Sequence, residues 1–248
     1  MARFPAMTDP AVPQSSSGGP PPPGALPNAE RVRLAYHRRD ETDYIFSFWT
    51  ALGWTILTFG IFGLYVLYQL VRRSRDHNLR RLELLDASVS FAWERAVAQG
   101  VADELRPNFE RAAGHLQTLR AKSTDFRDPI IWVILAIFTG IATYIAWILL
   151  DGDLVKHDHA EGGVEAELAI IFDRLGRPIP APDPGRLKGP HNYIGRILVT
   201  LVTCGLYALW WLYDLMVEGN RHFEENWRFD DAIAGTVYAM SQEAGSAG

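Results

Sequence analysis

Among 248 residues there is one cysteine, Cys204, which excludes an internal disulfide framework and a cysteine-based zinc site. It sits in an apolar stretch, where a lone thiol reads as a small packing residue. Lysine is nearly missing: only Lys122, Lys156 and Lys188 appear among 24 basic residues. That bias toward arginine reads as a GC-rich bacterial genome. Excess positive charge is missing as well, the formal net charge being −5, which argues against a nucleic-acid binder. The chain has no nucleophile elbow, phosphate loop, Rossmann glycine pattern or HExxH helix, so a non-enzymatic role without a cofactor is expected. An apolar signal-peptide core is lacking near residue 1. Residues 1–40, which include SSSGGPPPPGALP, are instead expected to form a disordered Pro/Ser/Gly-rich tail, with PPPP free to meet an aromatic groove on a partner.

Charge is scarcest in three long windows. Residues 44–71 and 129–150 contain none, and 193–213 contains only Arg196 near its start. The mean hydropathy of −0.04 hides this segregation. A helix needs about 20 apolar residues to cross a bilayer core, and Trp and Tyr gather near the window ends as an interfacial belt does. The sequence therefore predicts an all-α integral membrane protein with three apolar segments, 44–71, 129–150 and 191–217, each continuing into a polar amphipathic helix. Between the first two, residues 72–128 form a polar helical hairpin. Its stripes are Leu82, Leu85, Val89, Ala92, Ala96 and Val97, then Leu105, Phe109, Ala112, Ala113, Leu116 and Leu119. A polar helix over 151–176, a Pro-rich linker over 177–190, polar helices over 218–240 (the last from Asp230 to Met240) and a disordered tail over 241–248 complete the division.

The windows repeat. A shift of 142 places Thr58, Gly63, Tyr65 and Asn78 on Thr200, Gly205, Tyr207 and Asn220, and a shift of 63 places Tyr144 and Trp147 on Tyr207 and Trp210. TFGIFGLYVLYQL and TLVTCGLYALWWLYDLM resemble the T-x-G-I-Y-x-x-Y-W signature of small bacterial, here actinobacterial, membrane proteins classed as domain of unknown function 4234. The resemblance covers roughly residues 40–240. It implies architecture, and brings no functional residues with it. The middle copy departs, carrying Ala142 where the others have Gly63 and Gly205.

Few positions suggest chemistry. His157 lies four residues from Asp153 and from Glu161, so one helix face offers weak metal-ligand candidates, although no metal is expected. Asn78 and Asn220 read as structural caps. Arg72, Arg73, Arg75, Arg80 and Arg81 follow the first window and are expected to contact anionic lipid headgroups. Small-residue spacings such as Ala136-xxx-Gly140 permit close helix approach, within the chain or in a homo-oligomer. Three single crossings are the favoured topology. The other topology, re-entrant hairpins broken at each Thr/Gly step, keeps both arginine groups on the cytoplasmic side. The expected role is a scaffold or adaptor in the bacterial cytoplasmic membrane, its partners the lipid bilayer and an unidentified protein but no nucleic acid. The alternative is a small transporter or channel component built on the repeat interface.

Overall fold

In a computed structural model the chain is all-helical among the described residues, 26–123, 128–183, 185, 189 and 191–246. The expected bounds of the two tails are corrected, and residues 1–25 lie outside the described residues. Residues 28–40 are helical: α1 (Asn28–His37) is followed directly by α2 (Arg39–Thr42). α1 buries Val32 and Ala35 and ties Arg31 to Glu83 and Asp86 at 2.8 Å each. The PPPP run lies outside the described residues.

Each apolar window is two helices, not one. α3 (Phe48–Leu57) turns into α4 (Ile61–Ala98), α6 (Pro129–Thr139) into α7 (Ile141–Arg174), and α8 (Tyr193–Val202) into α9 (Leu206–Ser246). Among the described residues no helix is long and apolar enough to cross a membrane; where three unbroken apolar segments were expected, each window is a helical hairpin. The arms run antiparallel. Arg196, nine residues before Gly205, pairs at 2.5 Å with Asp214, nine residues after it. Phe46, fourteen before Gly60, lies under the guanidinium of Arg73, thirteen after it.

Two of the turns are built alike. Phe59 and Cys204 adopt left-handed φ values of 52° and 49°, followed by Gly60 and Gly205 at 93° and 91°. Thr58 donates its hydroxyl to Trp54 O at 2.7 Å and accepts from Phe62 N at 2.9 Å; Thr203 donates to Val199 O at 2.8 Å and accepts from Tyr207 N at 3.0 Å. Gly60 N and Gly205 N reach back to Thr55 O and Thr200 O at 2.8 Å. A threonine thus caps the second helix of each hairpin, an arrangement worth about 1 kcal/mol. The structural register is therefore Thr58 on Thr203 and Gly60 on Gly205, a shift of 145. The pairings of Thr58 with Thr200, Gly63 with Gly205 and Asn78 with Asn220 are corrected by three residues. The middle turn is tighter, with Gly140 alone at φ 57°.

The second helices, α4, α7 and α9, run parallel from these turns as a three-helix bundle, and α5 (Ala102–Ser123) folds back antiparallel against α4 and α7. Trp93 meets Phe109 edge-on at 5.0 Å and Arg120 pairs with Asp86, so α4 and α5 pair as a helical hairpin within the expected 72–128 segment, of which residues 124–127 lie outside the described residues. Counting from Gly60, Gly140 and Gly205, equivalent positions form layers. Val66, Ala146 and Trp211 are followed by Leu70, Leu150 and Leu215, and further on by Leu84, Val164 and Phe229, all buried. The named layers are four and then fourteen residues apart, and fourteen residues are two heptads of a coiled-coil seam. α9 runs unbroken to Ser246, so neither a separate helix from Asp230 nor a disordered tail from 241 is found; residues 247–248 lie outside the described residues.

The strain at these turns makes a signed prediction. Non-glycine left-handed backbone costs about 1–2 kcal/mol, and nothing lies within 4 Å of a Cβ built on Gly205. Cys204→Gly is expected to raise unfolding free energy by about 1 kcal/mol and Gly205→Ala to lower it by about 1–2 kcal/mol. Denaturant unfolding in detergent followed by circular dichroism reads both; equal signs would contradict the turn geometry.

Candidate functional site

Between the Leu70 layer and the Leu84 layer the seam turns polar. Seventeen positions after the turn glycines stand His77, His157 and His222, one from each long helix, each about 1% exposed. Their rings form a near-equilateral triangle, with centroids 5.2, 5.9 and 6.1 Å apart. Four residues on, one helical turn further, the equivalent positions hold Arg81, Glu161 and Asn226, so the backbone repeat carries three different side chains here.

Glu161 and Asn226 close the triangle. Glu161 Oε1 lies 3.0 Å from His157 Nε2, and Oε2 lies 3.4 Å from His222 Nε2. Asn226 Nδ2 lies 3.0 Å from Glu161 Oε2, 3.2 Å from His222 Nε2 and 3.4 Å from His77 Nε2. The outer ring nitrogens of two histidines meet carboxylates: His77 Nδ1 is 2.9 Å from Asp43 Oδ1, and His222 Nδ1 is 3.2 Å from Asp158 Oδ1. Among the described residues His157 Nδ1 is buried without a hydrogen-bond partner.

Two buried arginines knit the site to the rest of the bundle. Arg81 donates to Glu161 at 2.7 Å and also to Glu165 and Asp230. Arg80 bridges Asp230 at 2.7 Å and Asp43 at 2.8 Å, and Trp227 Nε1 donates to the same Asp43 oxygen at 2.8 Å. Burial pushes the His77 imidazole down to about 4, the nearby Asp43 only partly opposing it. Burial pushes the Asp43 carboxyl up, but His77, Arg80 and Trp227 outweigh it and hold the group below the usual carboxylate range. Burial opposes ionisation of Glu161 too, and Arg81 and His157 overcome it.

The sequence expectations are redistributed by this arrangement. The headgroup role of the arginine cluster is corrected for three of its five members: Arg73, Arg80 and Arg81 are interior, while Arg72 is exposed, Arg75 is half-buried, and both pair with Asp76. A hydrophobic-seam position filled by arginine next to a carboxylate-rich helix becomes an ion pair, not a headgroup contact. Of the weak metal candidates, His157 and Glu161 join the polar layer and half-buried Asp153 does not. Asn220 holds the start of the first hairpin, accepting from Phe46 N at 3.0 Å and donating to Phe46 O at 2.8 Å, while also accepting from Arg73 at 2.8 Å. Asn78 is buried one residue from the layer. Tyr65 accepts from Gln69 at 2.7 Å, Tyr144 and Trp147 pack on Trp211, and Trp210 is exposed. Sequence reasoning missed His77, His222, Asp43, Asn226 and Asp230. Counting each histidine from its turn glycine, in the 145-residue register, would have found the first two.

A smaller cluster sits at the hairpin bases, where His191 Nδ1 lies 2.9 Å from Asp151 Oδ2 and Nε2 lies 3.7 Å from Glu218 Oε1. No protein-family model, curated protein or solved structure matches the chain.

Removing Arg81 strands buried carboxylates, so Arg81→Met is expected to cost about 3–5 kcal/mol. Arg72→Ala, losing an exposed pair, is expected to cost under about 1 kcal/mol; denaturant unfolding compares the two. The His77 shift also sets a pH dependence. Its folded value, about 4, lies below the usual value of about 6.5, so the unfolded chain takes up the proton first as pH falls. In chelator-treated protein, stability is expected to be level above about pH 6.5 and to decline toward pH 4, and His77→Gln is expected to flatten that decline.

Proposed function

We propose that the protein is a monotopic membrane scaffold whose three apolar hairpins dip into one leaflet and whose helical body projects from that same face. The observation that carries this reading is the apolar surface at the three turns. Phe59 is 98% exposed, Phe138 82% and Val202 84%, with Ile61, Ile141 and Leu206 beside them. Apolar side chains this exposed, at three turns facing one end of a bundle, suit hydrocarbon better than water. A ten-residue arm is about 15 Å long, half of a bilayer core of about 30 Å. The turn backbone suits that depth: amides from Thr58 to Gly63 and from Thr203 to Ala208 find acceptors within their own hairpins.

In this reading the flanking Trp49 and Tyr44 lie near the headgroups, and both arginine groups, 31–39 and 72–81, stay on the cytoplasmic side. The surfaces of α1, α5 and the far ends of α4, α7 and α9 then face the cytoplasm of a bacterial cell as docking surfaces for a protein partner, without enzymatic chemistry. T58-F59-G60-I61-F62 and T203-C204-G205-L206-Y207 place the T-x-G step of the signature at the hairpin turns, which supports assignment to the domain of unknown function 4234 family.

Cysteine accessibility tests the reading. In a Cys204→Ser background, Leu26→Cys, Gly100→Cys, Asp183→Cys and Gln242→Cys are all expected to resist a membrane-impermeant maleimide in intact cells and to label after lysis. Labelling of Leu26→Cys with Asp183→Cys, or of Gly100→Cys with Gln242→Cys, before lysis would restore three crossings and overturn it.

A further inference from the structure

We propose that the buried histidine layer binds one divalent transition-metal ion of the zinc class, with His77, His157, His222 and Glu161 as its ligands. This inference does not rest on the membrane reading. One donor atom from each of these four residues lies within 4.8 Å of the others. A tetrahedral ion with metal–nitrogen bonds of about 2.1 Å places its donors about 3.4 Å apart. The Glu161 carboxylate already stands between two of the imidazoles, its Oε1 3.0 Å from His157 Nε2 and its Oε2 3.4 Å from His222 Nε2. His77 closes the remainder by a small side-chain rotation.

Three further observations point to a cation and not to a satisfied polar core. The first is orientation. Metal-bound imidazoles commonly give their outer N–H to a carboxylate, which fixes the ring with its other nitrogen toward the ion. Asp43 and Asp158 stand at those outer nitrogens of His77 and His222. The second is charge. Asp43, Glu161 and Asp230 bring three carboxyl groups to this region against the guanidiniums of Arg80 and Arg81, so among these named side chains the formal excess is one negative. Buried charge needs a partner or a metal, and a cation is drawn to that excess. The third is the centre of the triangle. Asn226 Nδ2 faces three acceptors, His77 Nε2, His222 Nε2 and Glu161 Oε2, within 3.4 Å, yet an amide nitrogen carries only two hydrogens. On metal binding the imidazole nitrogens turn to the ion, and the Asn226 amide keeps Glu161 Oε2 as its acceptor.

The donor set names the ion class. Three imidazoles and one carboxylate suit Zn²⁺, Co²⁺ or Ni²⁺ and do not suit Mg²⁺ or Ca²⁺, which take oxygen ligands. Four protein ligands close the coordination sphere, as in a structural site. The cluster of Asp151, His191 and Glu218 has one imidazole and is more exposed, and it serves as the internal control.

The test uses the full untagged chain in detergent, stripped with a chelator and titrated with Co²⁺ and Zn²⁺. One Co²⁺ per chain with intense tetrahedral d–d absorption is expected, displaced by Zn²⁺ and not by Mg²⁺, with a rise in Tm on Zn²⁺ addition. His157→Leu places leucine, the residue of the Leu150 layer, at the metal position and is expected to abolish the tetrahedral spectrum while helicity is retained; His222→Gln repeats the test with a polar replacement. Asp158→Asn is expected to keep the stoichiometry and weaken affinity by about 10–100-fold, and Asp151→Asn to change neither. The proposal is overturned if the stripped wild type takes up no stoichiometric Co²⁺, or if either folded histidine variant keeps the wild-type spectrum.

Discussion

A backbone amide surrounded by apolar side chains has to find its acceptor within the chain, and the rest of this structure follows from how the turns meet that demand. In the first and third hairpins a threonine hydroxyl donates back to the closing arm and accepts from the opening one, while a left-handed glycine reverses the chain. The cap fixes where the second helix begins. Because helix geometry is rigid at 1.5 Å per residue, fixing the start fixes the height of every later side chain. Three helices begun at a common level bring their seventeenth residues together, and all three are histidine.

The bundle interior is therefore layered by chemistry. Leucines fill the layer nearer the turns, imidazoles and ions the middle, and aliphatic and aromatic side chains the body beyond. Buried ion pairs contribute little net stability against an apolar core of the same volume, yet breaking one is expensive. The Arg80 and Arg81 network suits alignment better than strength: a three-residue slip of α4 toward the Leu84 layer would set Arg81 against Val164 and Phe229. Gly219 belongs to the same logic, since a Cβ there would collide with the guanidinium of Arg73.

Much of the element map was legible in the chain. The stripe ending Leu105, Phe109, Leu116 and Leu119 gave α5, and the uncharged windows gave the apolar half. The Thr/Gly steps were visible, but an uninterrupted apolar run does not say whether a helix continues or doubles back, because both bury the same residues. The repeat register slipped by three because three residues is nearly one helical turn, so leucine still fell on leucine. The arginines misled for a related reason: Arg72 is exposed and Arg75 half-buried while Arg73, Arg80 and Arg81 point inward, and charge alone does not carry that phase. α1 escaped notice because its apolar contact is small, Val32 and Ala35, and its anchoring is ionic. The polar layer was illegible as a site because its members lie as far as 187 residues apart, from Asp43 to Asp230.

The three copies share a backbone but not a side chain at the positions of Arg81, Glu161 and Asn226. Had three identical chains assembled around this axis, the same position would have set three arginines, or three glutamates, against one another. Joining the copies in one polypeptide lifts that restriction, since each copy then has fixed neighbours and can specialise toward them. Their cyclic order around the axis becomes part of the fold. A segment copied from one position into another would carry its charge to the wrong neighbour, so the repeats, alike in shape, are no longer interchangeable parts.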